Sequence, residues 1–362
     1  MPDGIRRDQF LHWIEALGDR QTPAWLGLPN NAENVLLTTR GTDLLASLLK
    51  MTVLEDDDEL AYAGADEHGG AADEMTQSRP AWMVSMQLTA TTWLSLLPEN
   101  VMTLRRTLDN IKDPLYRYFE REVNLGAKLL RRVRMDLMDV ILICKGEKKQ
   151  TNYHRSMVSK LVKGIIPELW LTYTVPKGAT VSHWATDLAH RMKQLQEVSQ
   201  CVAQYGAAEL KNLTVWLGGL FNPEAYITAT RQCVAQANSW SLEELKLRVS
   251  VSDDERSSEQ GGFNIKGLKL QGGECRKNIL HLSSLIMNEL PLTTLWWVRA
   301  EDSGSTAASS IPTDSSLISL PVYLDATRTV MLFTVDLNAA KGLTPHSFYE
   351  RGVALLASTS LN

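Results

Sequence analysis

The sequence predicts an α+β protein, with an N-terminal helical part followed by a β-rich part that reads as a small antiparallel barrel or sandwich. Three observations predict it. Apolar residues recur at helical intervals through most of the sequence up to residue 212. From Leu245 the period becomes two, with Leu247, Val249 and Val251 sharing its face. Between them lies LTVWLGGLFNPEAY, Leu213 to Tyr226, where alternation stops at Gly218-Gly219 and a helix start follows.

Taken in order, Phe10, Ile14 and Leu17 give a short helix ending at Gly18, and Thr22 to Asn31, with Pro23, Gly27 and Pro29, reads as an irregular connection. Asn30 or Asn31 can cap a helix towards Leu54, carrying Val35, Leu36, Leu44, Leu45, Leu48 and Leu49, with a kink expected at Gly41. Glu55 to Glu59 is an acidic run and Gly64 to Ser78 has hardly any large apolar residue, so Asp57 to Gln77 reads as a mobile linker. Its EDDDELAYAGADE run lacks the alternating ligands and central Gly of an EF-hand loop. Pro80 to Leu97 and Glu99 to Lys112 read as a helical pair separated at Pro98, with Trp82, Met86, Trp93 and Leu97 buried.

Leu115 to Lys145 is the longest helical pattern. Phe119, Val123, Gly126, Leu130, Val133, Leu137, Val140, Ile141 and Cys144 form its inner stripe, and Arg121, Lys128, Arg131, Arg132, Arg134 and Asp136 are placed outside. Each large apolar residue fully buried contributes about 1.5–3 kcal/mol, which makes this helix the expected spine. Further helices are expected over Thr151 to Lys163 and Val181 to Gln200. Leu213, Val215 and Leu217 read as a strand. Asn222 is placed as N-cap of a helix from Pro223, with Tyr226, Thr230, Cys233, Ala237 and Trp240 inward and Arg231 outward. Beyond it, strands are expected at Phe263 to Leu270 with a bulge at Gly267, and at Asn278 to Leu282, Thr293 to Arg299, Leu317 to Leu324, Val330 to Leu337 and Gly352 to Leu356. Ser303 to Ser310 reads as a hairpin loop. The resulting organisation is N-terminal helices over 1–56, a linker over 57–78, a helical subdomain over 79–212, and a β-rich subdomain over 213–362 with one helix at 223–238.

At 362 residues, 44% apolar and with ten Trp, the protein has the makings of large buried cores. A formal net charge of −5 gives no global attraction to nucleic acid or an anionic membrane, so neither is an expected partner. The four cysteines, Cys144, Cys201, Cys233 and Cys275, show no CxxC spacing or disulfide framework, as suits a reducing compartment. No apolar run approaches the ~20 residues that cross a bilayer, and Met1-Pro2-Asp3 does not open a signal peptide; the expectation is a cytosolic protein. The sequon Asn212-Leu213-Thr214 is then a coincidence.

The sequence carries no GxxxxGK(S/T) loop, GxGxxG fingerprint, HExxH helix or GxSxG elbow. Gly218-Gly219 lacks the Lys and Ser/Thr of a phosphate loop and reads as a structural turn. His183 and His190 lie seven apart without a third metal ligand. Cys233 falls on a buried stripe with no neighbouring base. Tyr323, Asp325 and Arg328 could be drawn as an acid-base trio, but a sheet-face pairing of Tyr323 with Asp325 explains them more simply. Arg131, Arg132 and Arg134 lack the interleaved aromatics of an RNA site. No residue is therefore assigned a catalytic, cofactor-binding or metal-ligating role.

The run from Trp216 to Glu244, with LGGLFNPEAYITATRQ and then SWSLEEL, resembles the C-terminal domain of dynein heavy chains, which carry a Gly-Gly-Leu-Phe-x-Pro-x-Ala run at the same juncture. The resemblance extends to TPAWLGLPNNAENVLLTTRG from Thr22, IKDPLYRYFEREVNLGAKLLRRVRMDL from Ile111, GLKLQGGECRKNILHL from Gly267, LPVYLDATR from Leu320 and FYERGVALL from Phe348. Those last two runs look more like the conventional cytoplasmic heavy chain than the axonemal ones. The resemblance implies an N-terminal α-helical bundle followed by a small, incomplete antiparallel β-barrel. It also implies a non-catalytic regulatory domain that lies on the ring of AAA+ modules of the same heavy chain, within a complex that includes microtubules and accessory chains. ATP hydrolysis and the microtubule-binding stalk belong to other parts of such a protein. Two rivals remain: an enzyme with a site between bundle and barrel, and a β-barrel adaptor binding a peptide or small ligand in the cytosol.

Overall fold

A computed structural model describes residues 80–176, 178–252, 262–276, 279–290, 292–299 and 317–357, with positions 12, 15, 35 and 37–45 nearer the N-terminus. Positions 37–45 are helical, the helix running on through Gly41. Most of the first segment, the Thr22 to Asn31 connection, the acidic linker, the polar run 253–261 and the Ser303 to Ser310 loop lie outside the described residues.

Helix formation follows its end signals closely. Helix α1 (Ala81–Leu96) begins after Pro80 and buries Met86, Ala90 and Trp93. The spine is α2 (Pro114–Lys145): Asp113 accepts the Leu115 and Tyr116 N–H groups, Pro114 occupies the first turn, and Gly146 ends it at φ 80°. The expected apolar stripe is buried except for Ile141, which is half-buried. Asp136 corrects the outward assignment: it is buried, accepting Trp170 Nε1 at 2.9 Å and the Tyr153 hydroxyl at 3.0 Å. Helix α3 (Asn152–Val162) is capped by Thr151, and α4 (Val181–Tyr205) by Thr180, running on to Gly206 rather than stopping at Gln200.

Glu99 to Lys112 is not the second half of a helical pair. Its backbone is extended and then turned, because distant side chains satisfy its polar groups. Gln196 donates to Asn100 O, Ser199 to Met102 O and the Tyr116 hydroxyl to Arg105 O. Asn110 Oδ1 takes the Thr107 N–H, closing a turn. Val101 and Leu104 are buried without any helix.

Strand β1 is only Val215–Trp216, since Leu217–Gly219 tightens into a 3₁₀ turn before α5 (Pro223–Asn238). Tyr226, Thr230 and Cys233 are buried as expected, whereas Ala237 is exposed one residue before the helix ends. Then follow β2 (Leu245–Ser252), β3 (Phe263–Lys266), β4 (Lys269–Arg276), β5 (Ile279–Glu289), β6 (Leu292–Arg299), β7 (Leu317–Tyr323), β8 (Met331–Ala339), the short helix α6 (Pro345–Glu350) and β9 (Ala354–Leu356). Helix α6 has no counterpart among the elements expected from the sequence; it buries Phe348 completely.

The strands form two groups. One is a four-stranded sheet in the order β1-β3-β6-β2. The other follows β4-β5-β8-β7-β9 around a ring. Its long antiparallel pairs, β4 with β5 and β7 with β8, meet on one side through a two-residue parallel contact of β5 with β8, Ile279 opposite Asn338, and on the other through β9, which pairs parallel with β7 over two residues and antiparallel with β4 over three. Closure that slight leaves the barrel incomplete. Gly267, at φ 78°, is not a bulge within one strand: it is the break where the backbone leaves the first sheet at β3 and enters the ring at β4. The register shift lies beyond it, between Gln271 and Gly273. Buried residues form one contiguous cluster from Met86 on α1 through α2, α4 and α5 to Ala357 beyond β9.

Candidate functional site

The Gly-Gly-Leu-Phe connection carries a dense buried polar network. A loop between a strand and a helix exposes backbone donors and acceptors that need partners when buried. Here α2 and α4 supply them. Gln194 on α4 grips Trp216 twice, accepting its N–H at 2.7 Å and donating to its carbonyl at 3.2 Å. Arg191, one turn earlier, donates to Leu220 O at 3.0 Å and to Asp187 Oδ2 at 2.8 Å, with its guanidinium 4.1 Å from the Tyr173 ring centroid. Glu122 on α2 accepts the Phe221 N–H at 2.7 Å, the Asn222 N–H at 3.1 Å and Asn222 Nδ2 at 3.0 Å. The Tyr118 hydroxyl donates to Asn222 O at 3.3 Å.

Asn222 therefore does not cap α5 with its side chain, as the sequence suggested; the amide points at Glu122 instead. Glu122 is 1% exposed, and burial raises its carboxyl affinity for protons despite the three donors around it. Burial likewise lifts the Tyr118 hydroxyl well above the usual phenol range, with the Glu122 charge adding to it. On the far side of α5, the Thr230 hydroxyl accepts Trp297 Nε1 at 3.0 Å, tying the helix to β6. Arg231, expected outside, lies with its guanidinium 5.5 Å from the Trp297 ring centroid and donates to Leu242 O.

The glycines are packed, not open. A Cβ on Gly218 would fall 1.7 Å from Ala357 O, and one on Gly219 2.1 Å from the Trp216 ring. A Cβ on Gly267 would meet the same indole at 2.3 Å. The Trp216 indole is thus packed against both Gly219 and Gly267.

The other considered residues do not converge. His183 and His190 are both exposed on α4. Burial pushes the Cys233 and Cys144 thiols up, away from the reactive thiolate. Strand β7 ends at Tyr323, so Asp325 does not share its face: Asp325 accepts the Thr327 N–H in a turn, and Arg328 reaches Gln271 Oε1 and Gly352 O. Arg134 leaves the basic cluster to donate to the Leu94, Leu97 and Pro98 carbonyls at the end of α1. Among the described residues no three His, Cys, Asp or Glu residues could share a metal ion, and no helix is long and apolar enough to cross a membrane. Sequence reasoning missed the residues that matter most, Glu122, Asp187, Arg191 and Gln194. Their only sequence signal is a polar residue on an otherwise inward helix face.

The family model of the C-terminal domain of dynein heavy chains matches residues 38–357. The protein is similar along its whole length to the cytoplasmic dynein heavy chain of Drosophila melanogaster, with 61% identity over 365 residues. It is 42% identical over 362 residues, 99% of its own length, to the cytoplasmic dynein heavy chain of Caenorhabditis elegans. Against dynein axonemal heavy chain 9 of Homo sapiens the identity is 25% over 367 residues, 98% of its length. The matched region spans 8%, 7% and 7% of these relatives' lengths.

Proposed function

Since the protein belongs to the family of C-terminal domains of dynein heavy chains, we propose that it acts as the non-catalytic regulatory domain of a cytoplasmic dynein heavy chain. It packs on the AAA+ ring of that heavy chain and modulates the force and run length of the minus-end-directed motor. Its place is the cytoplasm, on the cytoskeleton with the rest of the dynein complex, with neither nucleic acid nor membrane as partner.

The observation that carries this reading is the joint. A part that acts by leaning on neighbours must transmit load between its own halves, and the Trp216 to Asn222 backbone is gripped from two helices by Glu122, Arg191 and Gln194. Such a body biases the ring only if its contacts differ in free energy between ring states. Single-motor recordings of the heavy chain with and without residues 1–362 test it. The expected outcome is retained ATP hydrolysis with altered stall force or run length; identical force and run length overturn the regulatory reading.

A further inference from the structure

From Leu115 to Val140 the spine α2 shows solvent one narrow stripe. Arg117, Arg121, Asn124, Lys128, Arg131, Met135 and Met138 are exposed and follow one another at alternating intervals of four and three residues. Every other residue in that span is buried or half-buried except Arg132, which is turned to the Tyr153 hydroxyl. The stripe holds four cations and no acid. Each of the helix's four acids is committed elsewhere: Glu120 pairs with Arg106, Glu122 holds the joint, Asp136 holds Trp170 and Tyr153, and Asp139 pairs with Lys148 and His154. In a protein of net charge −5 this is a segregated cationic surface.

The C-terminal end of the stripe is apolar. There a groove of about 230 Å³ opens between Val101, Ala127, Leu130, Met135 and Met138, with Arg131 at its edge. This is below the roughly 300–1,000 Å³ of small-molecule pockets but roomy for one or two apolar side chains. Its two methionines are 59% and 49% exposed, and their flexible thioethers can adapt to the side chains of a partner.

The spacing of the stripe indicates the shape of what covers it. Alternating steps of four and three average about 3.5 residues, the repeat of a helix seam that faces a second helix. On a straight helix such a stripe drifts by only about 20° per heptad, so one partner helix can follow it from Arg117 to Met138, about 31 Å. We infer that α2 docks an acidic amphipathic helix of a partner protein, with carboxylates facing Arg117, Arg121, Lys128 and Arg131 and apolar side chains entering the groove beside Met135 and Met138. The cations call for the acids, and the groove for the apolar anchors. Nucleic acid fits worse, since the stripe offers no aromatic ring on which a base could stack. The headgroups of a flat bilayer would leave the groove unfilled.

Fluorescence anisotropy of two labelled, alanine-based helical peptides of about 21 residues, titrated with the whole protein at low salt, tests this inference. Each peptide presents four Glu and two Leu on one stripe at the same spacing, the two peptides reading in opposite directions. The better of them is expected to bind about tenfold more tightly than its Glu-to-Lys and Leu-to-Ser versions, and to lose about tenfold in the Arg121→Glu, Arg131→Glu double variant. Both substitutions sit at exposed positions, and an unchanged thermal melt confirms the variant's fold. Bound peptide should also slow the oxidation of Met135 and Met138 by dilute peroxide about fivefold, while Met331, 57% exposed on β8, oxidises as before. Affinity indifferent to the peptide's charge or to the double variant overturns the inference, as do unprotected methionines. So does tighter binding of this stripe to an oligouridine RNA, to phosphatidylserine vesicles or to a second copy of the protein.

Discussion

At Glu122 the two carboxylate oxygens divide three donors, Oε2 taking the Phe221 N–H and Oε1 both groups of Asn222. Glu122→Gln keeps the shape but turns an amide NH₂ towards one of those N–H groups. Urea unfolding is expected to show a loss of about 1–3 kcal/mol, the cost of a buried donor without a partner. The pH dependence has a definite sign. Burial raises the Glu122 pKa in the folded state, so its proton favours folding below the unfolded value, and that contribution falls away as pH rises through the folded value. Measured from pH 4 to 7, the stability gap between the wild type and Glu122→Gln should therefore narrow; a gap that widens contradicts the assigned direction. Arg191→Met removes the ion-pair partner of the buried Asp187, with an expected cost of about 3–5 kcal/mol. Adding Asp187→Leu should recover part of it, but not the donor to Leu220 O. None of these roles was legible in the sequence. Glu122 stands beside Arg121 and looks like any helix surface acid, while its partner Phe221 lies 99 residues away.

Elements were legible where their ends are written locally. The structure shows Asp113, Pro114 and Gly146 at the ends of α2 and Pro223 at the start of α5, and both helices lie within a residue or two of the expected ranges even though Asn222 caps nothing with its side chain. Glu99 to Lys112 defeated the same reasoning, because its spacing of apolar residues suits a helix while its hydrogen bonds come from α2 and α4. Gly267 was legible as a discontinuity but not as a change of sheet, since phase slip alone does not say where the next strand pairs. Gly218-Gly219 was legible as a turn, and the structure adds the reason that a larger residue is barred there. A Gly218→Ala methyl meets the Ala357 backbone carbonyl rather than a movable side-chain end. Thermal unfolding should register a loss of about 1–3 kcal/mol or more, which brings the segment after β9 into the same energetic unit as the loop.

Across the whole molecule, the helical half and the β-rich half were readable from the period change, but the ring order β4-β5-β8-β7-β9 was not. Its parallel contacts join segments far apart in sequence, and alternation along a strand carries no record of its neighbour. The same distance effect decides how the molecule should unfold. Helix α5 presents one side to α2, where Tyr226 meets Tyr118 and Phe119 at ring-centroid distances of 5.5 and 5.9 Å, and the other to Trp297 on β6. Losing either half would expose the apolar surface it shares with α5 and strand the buried groups of the joint. Circular dichroism at 222 nm, which follows mainly the helices, and tryptophan fluorescence, which includes Trp297 on β6, should accordingly report one coincident transition in denaturant. Arg191→Met should shift both midpoints together, because the residue it removes holds the connection rather than either half. Two resolved transitions, with Arg191→Met moving only the helical one, would mean that the halves fold separately and that no load passes through Trp216 to Asn222.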